Sequence, residues 1–255
     1  VDPWVLDLDG VVWRGDVPIA GASSAVSSLR RAGHRVWCCT NNSAATVADY
    51  ESKLDAHGIE HDGLITSAMA MATLVRPGER ILACAEAGAR EALDEVGAIV
   101  ISDGTAVDAV VVGFHRDFDY SEMQEATRAV LGGARLIATN DDPIYPDHDG
   151  PSPGCGAILA SIERATGIRA IVAGKPNAPM VELVRERCGD EGVFVGDSLD
   201  TDGAMAAALG WRFGLVLTGN TARSDAASAG ATWVADDLPS LVDLVLGQVE
   251  VGEPE

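Results

Sequence analysis

Lysine is almost absent from this chain: two of its 255 residues are lysines, Lys53 and Lys175, against 16 arginines. Basic charge as a whole is scarce, 18 residues against 39 acidic ones, for a formal net charge of −21. Such a field repels polyanions, which argues against nucleic acid and anionic membrane surfaces as partners. An anionic ligand then needs a local device, a metal ion or a placed lysine, to approach. No run nears the ~18–20 uncharged apolar residues of a membrane span. The first residues turn acidic at once (Asp2, Asp7, Asp9), with no basic stretch leading into an apolar one, so no secretory signal is expected and a cytoplasmic location is. The five cysteines (Cys38, Cys39, Cys84, Cys155, Cys188) form no C-x-x-C pair and no zinc spacing, the pattern of reduced thiols.

What is present alternates. Hydrophobic residues make up 47% of the chain, enough for a large core. Residues 4–8 read as a short buried strand before Asp9-Gly10, followed by a helix from Ser23 to Ala32 that Gly33 stops. A strand over 35–39 and a helix from Ala45 to Ala56 continue the pattern, which predicts an α/β fold with a Rossmann-like parallel sheet. The alternation resumes late, with strands at 170–173, 192–195 and 213–217 and helices at 180–187, 204–209, 221–229 and 238–246. Between them lie strands at 81–85, 99–101, 109–113 and 136–138 and helices at 87–95 and 121–131. That middle reads as a second α/β unit, 79–171, inserted into a core made of 1–78 and 172–255.

Ligands bind beyond the carboxyl ends of the strands of an open parallel sheet. Four polar groups directly follow predicted strands and are expected at one edge of one sheet: Asp7 with Asp9, Thr40 with Asn41, Lys175, and Asp197 with Asp202. Taken singly, each has an ordinary reading as a helix cap, a turn residue or an exposed side chain. Together they suggest a site. Asp7 and Asp9 share a face at i and i+2, and like charges so close call for a cation or a shared proton. Mg²⁺ suits hard oxygen ligands and recruits phosphate, whereas a calcium loop would need a third acid and a later Glu that are missing. One carboxylate can attack phosphorus while the other handles protons. In an arginine-using chain, Lys175 within Gly174-Lys175-Pro176 suits a crowded site that takes a compact ammonium. Lys53 falls on a polar helix face and reads as solvated. His57 and His61 have i, i+4 spacing around helix-weakening Gly58 and lack a third ligand; His115 and His148 read as surface residues, with a substrate-selecting role left open for His148.

With these residues in view, the chain resembles the haloacid dehalogenase-like hydrolase superfamily. Asp7-Leu8-Asp9-Gly10-Val11, Thr40-Asn41-Asn42-Ser43, Gly174-Lys175-Pro176 and the run from Val195 to Asp202 are similar to its four motifs in order. Thr66-Ser67-Ala68, Val112-Gly113-Phe114, Ala138-Thr139-Asn140 with Asp142, and Pro153-Gly154 resemble the subclass IIA branch of 4-nitrophenyl, pyridoxal, phosphoglycolate and glycerol-3-phosphate phosphatases. The resemblance implies a core with an inserted C2-type α/β cap that decides substrate. It implies Asp7 as nucleophile, Asp9 as general acid/base, and Mg²⁺ on Asp7, Asp9 (through its carbonyl) and Asp197, with Asp202 in support. Thr40 and the Asn41 backbone would hold the phosphoryl group, and Lys175 would neutralise it. Gly10, Asn41, Asn42, Asn140, Asp142 and His148 would line the substrate.

The implied function is hydrolysis of a small phosphorylated metabolite, with glycerol 3-phosphate preferred. Pyridoxal phosphate, phosphoglycolate, nucleotides and sugar phosphates stay open, as does a homodimer through the cap. Asp9 argues against carbon–halogen hydrolysis. Since nothing expected for phosphoryl transfer is missing, a non-catalytic binding module on the same fold ranks low.

Overall fold

The computed structural model describes residues 2–102, 106–147, 150–226 and 230–250. The chain divides into two compact units, one of Val1–Thr40, Glu51–Ile65 and Val181–Glu255, the other of Asn41–Tyr50 and Thr66–Met180.

The first unit is built on a six-stranded sheet. Its order is Trp233–Ala235, Arg212–Val216, Val193–Gly196, Trp4–Leu6, Val36–Thr40 and Gly63–Thr66. Pairing from Trp233–Ala235 through to Val36–Thr40 is parallel. A parallel strand covered on both faces has no polar side to show, so its sequence is a near-continuous apolar run. Trp4-Val5-Leu6 and Val193-Phe194-Val195 are such runs and are buried throughout. Helix Ala22–Arg31 covers part of the sheet because Ala22, Ala25, Val26 and Leu29 recur on one face. Arg30 and Arg31 sit in its last turn, where the helix dipole favours cations, and it packs on helix Leu238–Glu250.

The second unit has a five-stranded parallel sheet in the order Ile171–Val172, Arg135–Ala138, Ala109–Val112, Arg80–Cys84 and Ile99–Ile101. Leu82, Val110, Val112 and Leu136 meet Ala126 and Val130 of helix Tyr120–Leu131, and Leu159 and Ile162 of helix Cys155–Thr166, in its core. Asp119 caps the first of these helices by accepting from the Glu122 N–H. The fold is α/β, a Rossmann-like core with an inserted α/β cap of C2 type.

The structure departs from the sequence reading in several places. The strand expected at 170–173 is Ile171–Val172, and it pairs with Arg135–Ala138 in the five-stranded sheet, not with the core strands. Lys175 therefore follows a different sheet from Asp7, Thr40 and Asp197. Helix Cys155–Thr166 lies in a stretch to which the sequence pattern assigns no element. Its apolar residues run almost right around it, which blurs the 3.6-residue period. Strands Gly63–Thr66 and Trp233–Ala235 add to those expected from the sequence. Of the helix expected at 221–229, Arg223–Ala226 forms, and 227–229 lie outside the described residues.

Candidate active site

The carboxyl edge of the six-stranded sheet gathers the acids. Leu6 pairs with both Val195 and Cys38, and the Asp7 N–H donates to the Val195 carbonyl at 2.8 Å. That register brings Asp7 off its strand end beside Gly196-Asp197, while Thr40 closes the strand on the other side. Asp7, Thr40, Asp197 and Asp202 are all buried.

Asp7, Asp197 and Asp202 each offer a carboxylate oxygen, and the three atoms lie within 4.8 Å of one another. Among the described residues this is the one such group of three. Oxygens about 2.1–2.4 Å from a single hard divalent cation lie about 3.0–4.8 Å apart, so the spread fits one ion. The donor chemistry fits as well, since all three are carboxylates. Two such charges ~4 Å apart repel by about 4 kcal/mol at an effective dielectric near 20, which a cation would offset.

Backbone groups hold these carboxylates in place. Asp202 accepts from the N–H groups of Asp197 and Ser198, both at 3.2 Å, across the wide turn Leu199–Gly203. Asp197 accepts from the Asn220 N–H at 2.6 Å. Gly10 has φ +84°, and a Cβ there would lie 2.7 Å from the Asp197 carboxylate; one on Gly219 would lie 1.8 Å from its Oδ2. The Thr218 hydroxyl donates to the Gly10 carbonyl. Thr218-Gly219-Asn220, which follows strand Arg212–Val216 after Leu217, obeys the same strand-end rule as the other motifs and is absent from the residues selected above. Asp9 is not in the carboxylate group of three. Its Oδ1 accepts from the Trp13 indole N–H at 3.1 Å.

The second unit carries its own polar cluster. Lys175 is buried, at 2% exposure. The Asn41 amide grips its backbone at both ends, accepting from the Lys175 N–H at 2.7 Å and donating to its carbonyl at 3.2 Å. The same amide donates to Asp142 at 3.1 Å. Asn140 donates to the Asn41 carbonyl at 2.7 Å and accepts from the Asp142 N–H at 3.2 Å. Gly174 makes room for this, because a Cβ there would lie 2.6 Å from Asn41 Oδ1. Asn41, Asn140 and Asp142 thus bond to one another. Asn42 closes a local turn by accepting from the Ala44 N–H. His148 lies outside the described residues.

Other expectations change. Lys53 is not merely solvated: its ammonium donates to the Gly15 carbonyl at 2.6 Å and lies 4.5 Å over the Trp13 ring. His115 is not a free surface side chain but bonds Glu122 through Nε2. His61 pairs with Glu51, and His57 packs on Trp13. All five cysteines are buried free thiols. Burial pushes Cys84, Cys155 and Cys188 up to about 12 and raises Cys38 as well, so none of these four is a thiolate at neutral pH.

Residues 4–99 match the family described as haloacid dehalogenase-like hydrolase, and residues 172–241 the one described as HAD-hydrolase-like. The chain is 30% identical to the sugar-phosphatase AraL of Bacillus subtilis, over 94% of this chain and 92% of that protein. It is 34% identical to the D-glycerol 3-phosphate phosphatase of Mycobacterium tuberculosis, over 94% of this chain and 70% of that one. The solved glycerol phosphate phosphatase of that organism in complex with magnesium superposes with a TM-score of 0.85 at 33% identity, covering 94% and 76% of the two chains.

Proposed function

Because this chain belongs to the haloacid dehalogenase-like hydrolases, among their subclass IIA phosphatases, and is a phosphoric monoester hydrolase, we propose that it works through an aspartyl-phosphate on Asp7 with Mg²⁺ as cofactor. The observation that carries this reading is the buried Asp7–Asp197–Asp202 group. Asp7 and Asp197 would hold the ion together with the Asp9 carbonyl, and Asp202 would support them. When bound, Mg²⁺ supplies positive charge that lets an anionic phosphate approach an anionic nucleophile.

In the first step an Asp7 carboxylate oxygen forms a bond to phosphorus and the ester P–O bond breaks. Asp9 gives its proton to the departing oxygen. In the second step water attacks phosphorus, returns a proton to Asp9, and the bond from phosphorus to Asp7 breaks, leaving inorganic phosphate. Thr40 and the Asn41 backbone would hold the phosphoryl oxygens and Lys175 would neutralise them. The clasp of Asn41 on the Lys175 backbone supports a fixed position for the residue that carries the ammonium.

The preferred substrate is glycerol 3-phosphate, supported by the named activity of the mycobacterial relatives. The Bacillus relative named for sugar phosphates favours a second reading, hydrolysis of a small sugar phosphate. Segment 79–171 is the proposed cap that chooses between them, with Gly10, Asn140, Asp142 and His148 as candidate contacts. A phosphate-release screen over both classes, with Mg²⁺ and with excess chelator, tests this. Release from glycerol 3-phosphate that stops in chelator is expected. Release that persists in chelator would remove the metal, and higher kcat/KM on sugar phosphates would replace the substrate.

A further inference from the structure

The turn from Leu8 to Trp13 is closed by its own backbone. Val12 and Trp13 N–H groups donate to the Leu8 carbonyl at 2.9 and 3.2 Å, and the Gly10 N–H donates to the Trp13 carbonyl at 2.7 Å. This folds the Trp13 ring back over the loop, 1% exposed, with its N–H on Asp9 Oδ1. The bond is not forced by burial alone. Trp4 and Trp37 are also indoles whose Nε1 is buried, and in both it has no partner. At Trp13 the donor meets a carboxylate, the stronger kind of acceptor.

A second contact acts on the ring itself. Lys53, one of only two lysines in the chain, sets its ammonium 4.5 Å above the Trp13 centroid while donating to Gly15 and Asp16 in the following hairpin turn. A cation over the π face draws electron density from the ring and makes the indole N–H a better donor. His57 packs on the same ring, with centroids 5.8 Å apart. None of these residues belongs to the four motifs' proposed catalytic groups.

We propose that Trp13, backed by Lys53, is a positioning residue that orients the Asp9 carboxyl for proton transfer to the leaving oxygen. This rests on the reading of Asp9 as general acid. The bond from the indole to one carboxyl oxygen restrains rotation of the carboxyl plane.

The test compares leaving groups. 4-Nitrophenolate departs without a proton, whereas the alkoxide of glycerol 3-phosphate needs one. The kcat/KM values cover the steps up to that departure. General acid catalysis is worth ~100–10,000-fold, and a carboxyl left in place but unoriented loses part of it. Trp13→Phe should therefore lower kcat/KM for glycerol 3-phosphate about tenfold more than for 4-nitrophenyl phosphate. Lys53→Met should do the same about threefold, with Lys53→Arg restoring most of it. Retained 4-nitrophenyl phosphate turnover shows that a variant has folded.

A readout apart from activity is the Trp13 indole N–H resonance in ¹⁵N-tryptophan-labelled protein, identified by its loss in Trp13→Phe. It should lie downfield and move upfield in both Asp9→Asn and Lys53→Met. Equal losses on both esters, or an indole resonance indifferent to Asp9→Asn, would overturn the proposal while the phosphatase reading stands. A wild-type chain that releases phosphate from neither ester overturns both.

Discussion

Replacing Gly219 by alanine tests whether the placement of Asp197 matters, without touching a ligand. The new methyl carbon would lie 1.8 Å from Asp197 Oδ2 and 2.5 Å from its Cγ. An ordinary contact between carbon and oxygen needs upward of ~3.2 Å, so the carboxylate must retreat by more than ~1 Å. The Asn220 N–H, which bonds that same oxygen at 2.6 Å, would lose its partner. Gly219 is not among the glycines at positive φ, so the methyl adds no backbone strain. A displacement near 1 Å in a preorganised site costs ~100-fold in rate, and disturbing a ligand's support costs ~10–100-fold in metal affinity. Overpacking adds ~1–3 kcal/mol of instability. The assays are kcat at saturating substrate, the Mg²⁺ concentration giving half activity, and thermal unfolding in chelator. A Gly219→Ala protein with wild-type kcat and Mg²⁺ dependence would refute the reasoning.

Asn41→Ala removes the clasp on Lys175 and should lower kcat by ~10–100-fold while costing ~1–3 kcal/mol, since buried backbone groups are left unpaired; unchanged kcat would show that Lys175 needs no clasp. Asn41→Asp would put a second carboxylate about 3 Å from Asp142 and should melt below Asn41→Ala, the reverse order counting against this geometry. Gly247→Ala, in helix Leu238–Glu250 with nothing near its added methyl, should stabilise by ~0.5–1 kcal/mol in denaturant titration. With thiols at about 12 for Cys84, Cys155 and Cys188, thiolate exists only as pH rises well above neutrality. Native protein at pH 8 should resist iodoacetamide, and labelling at the rate of an exposed thiol would contradict the burial.

Much of the core was legible because its signals are local. Short apolar runs such as Trp4-Val5-Leu6 and Val193-Phe194-Val195 end in Asp or Gly-Asp, and the strand-end rule then collects Asp7, Thr40, Asp197 and Asp202 on one edge. The same rule picks out Lys175 but assigns it to the wrong sheet, because Ile171–Val172 pairs with Arg135–Ala138, and partner choice between two parallel sheets leaves no trace in a two-residue strand. Trp13 carries no local signal, since a single indole N–H has no periodicity; its role emerges only from the tight turn that returns it to Asp9. Lys53 was legible as a rarity but not as a contact. The mutual bonding of Asn41, Asn140 and Asp142 spans about a hundred residues of sequence, beyond any local pattern.

The central claim is that phosphate passes through the carboxylate of Asp7. The direct measurement is mass spectrometry of protein quenched in acid during turnover of glycerol 3-phosphate or 4-nitrophenyl phosphate with Mg²⁺. The account predicts phosphate on the peptide that holds Asp7, released by base or hydroxylamine and absent from an Asp7→Asn protein that no longer turns over. Phosphate on another residue, or sustained turnover by Asp7→Asn, would contradict it.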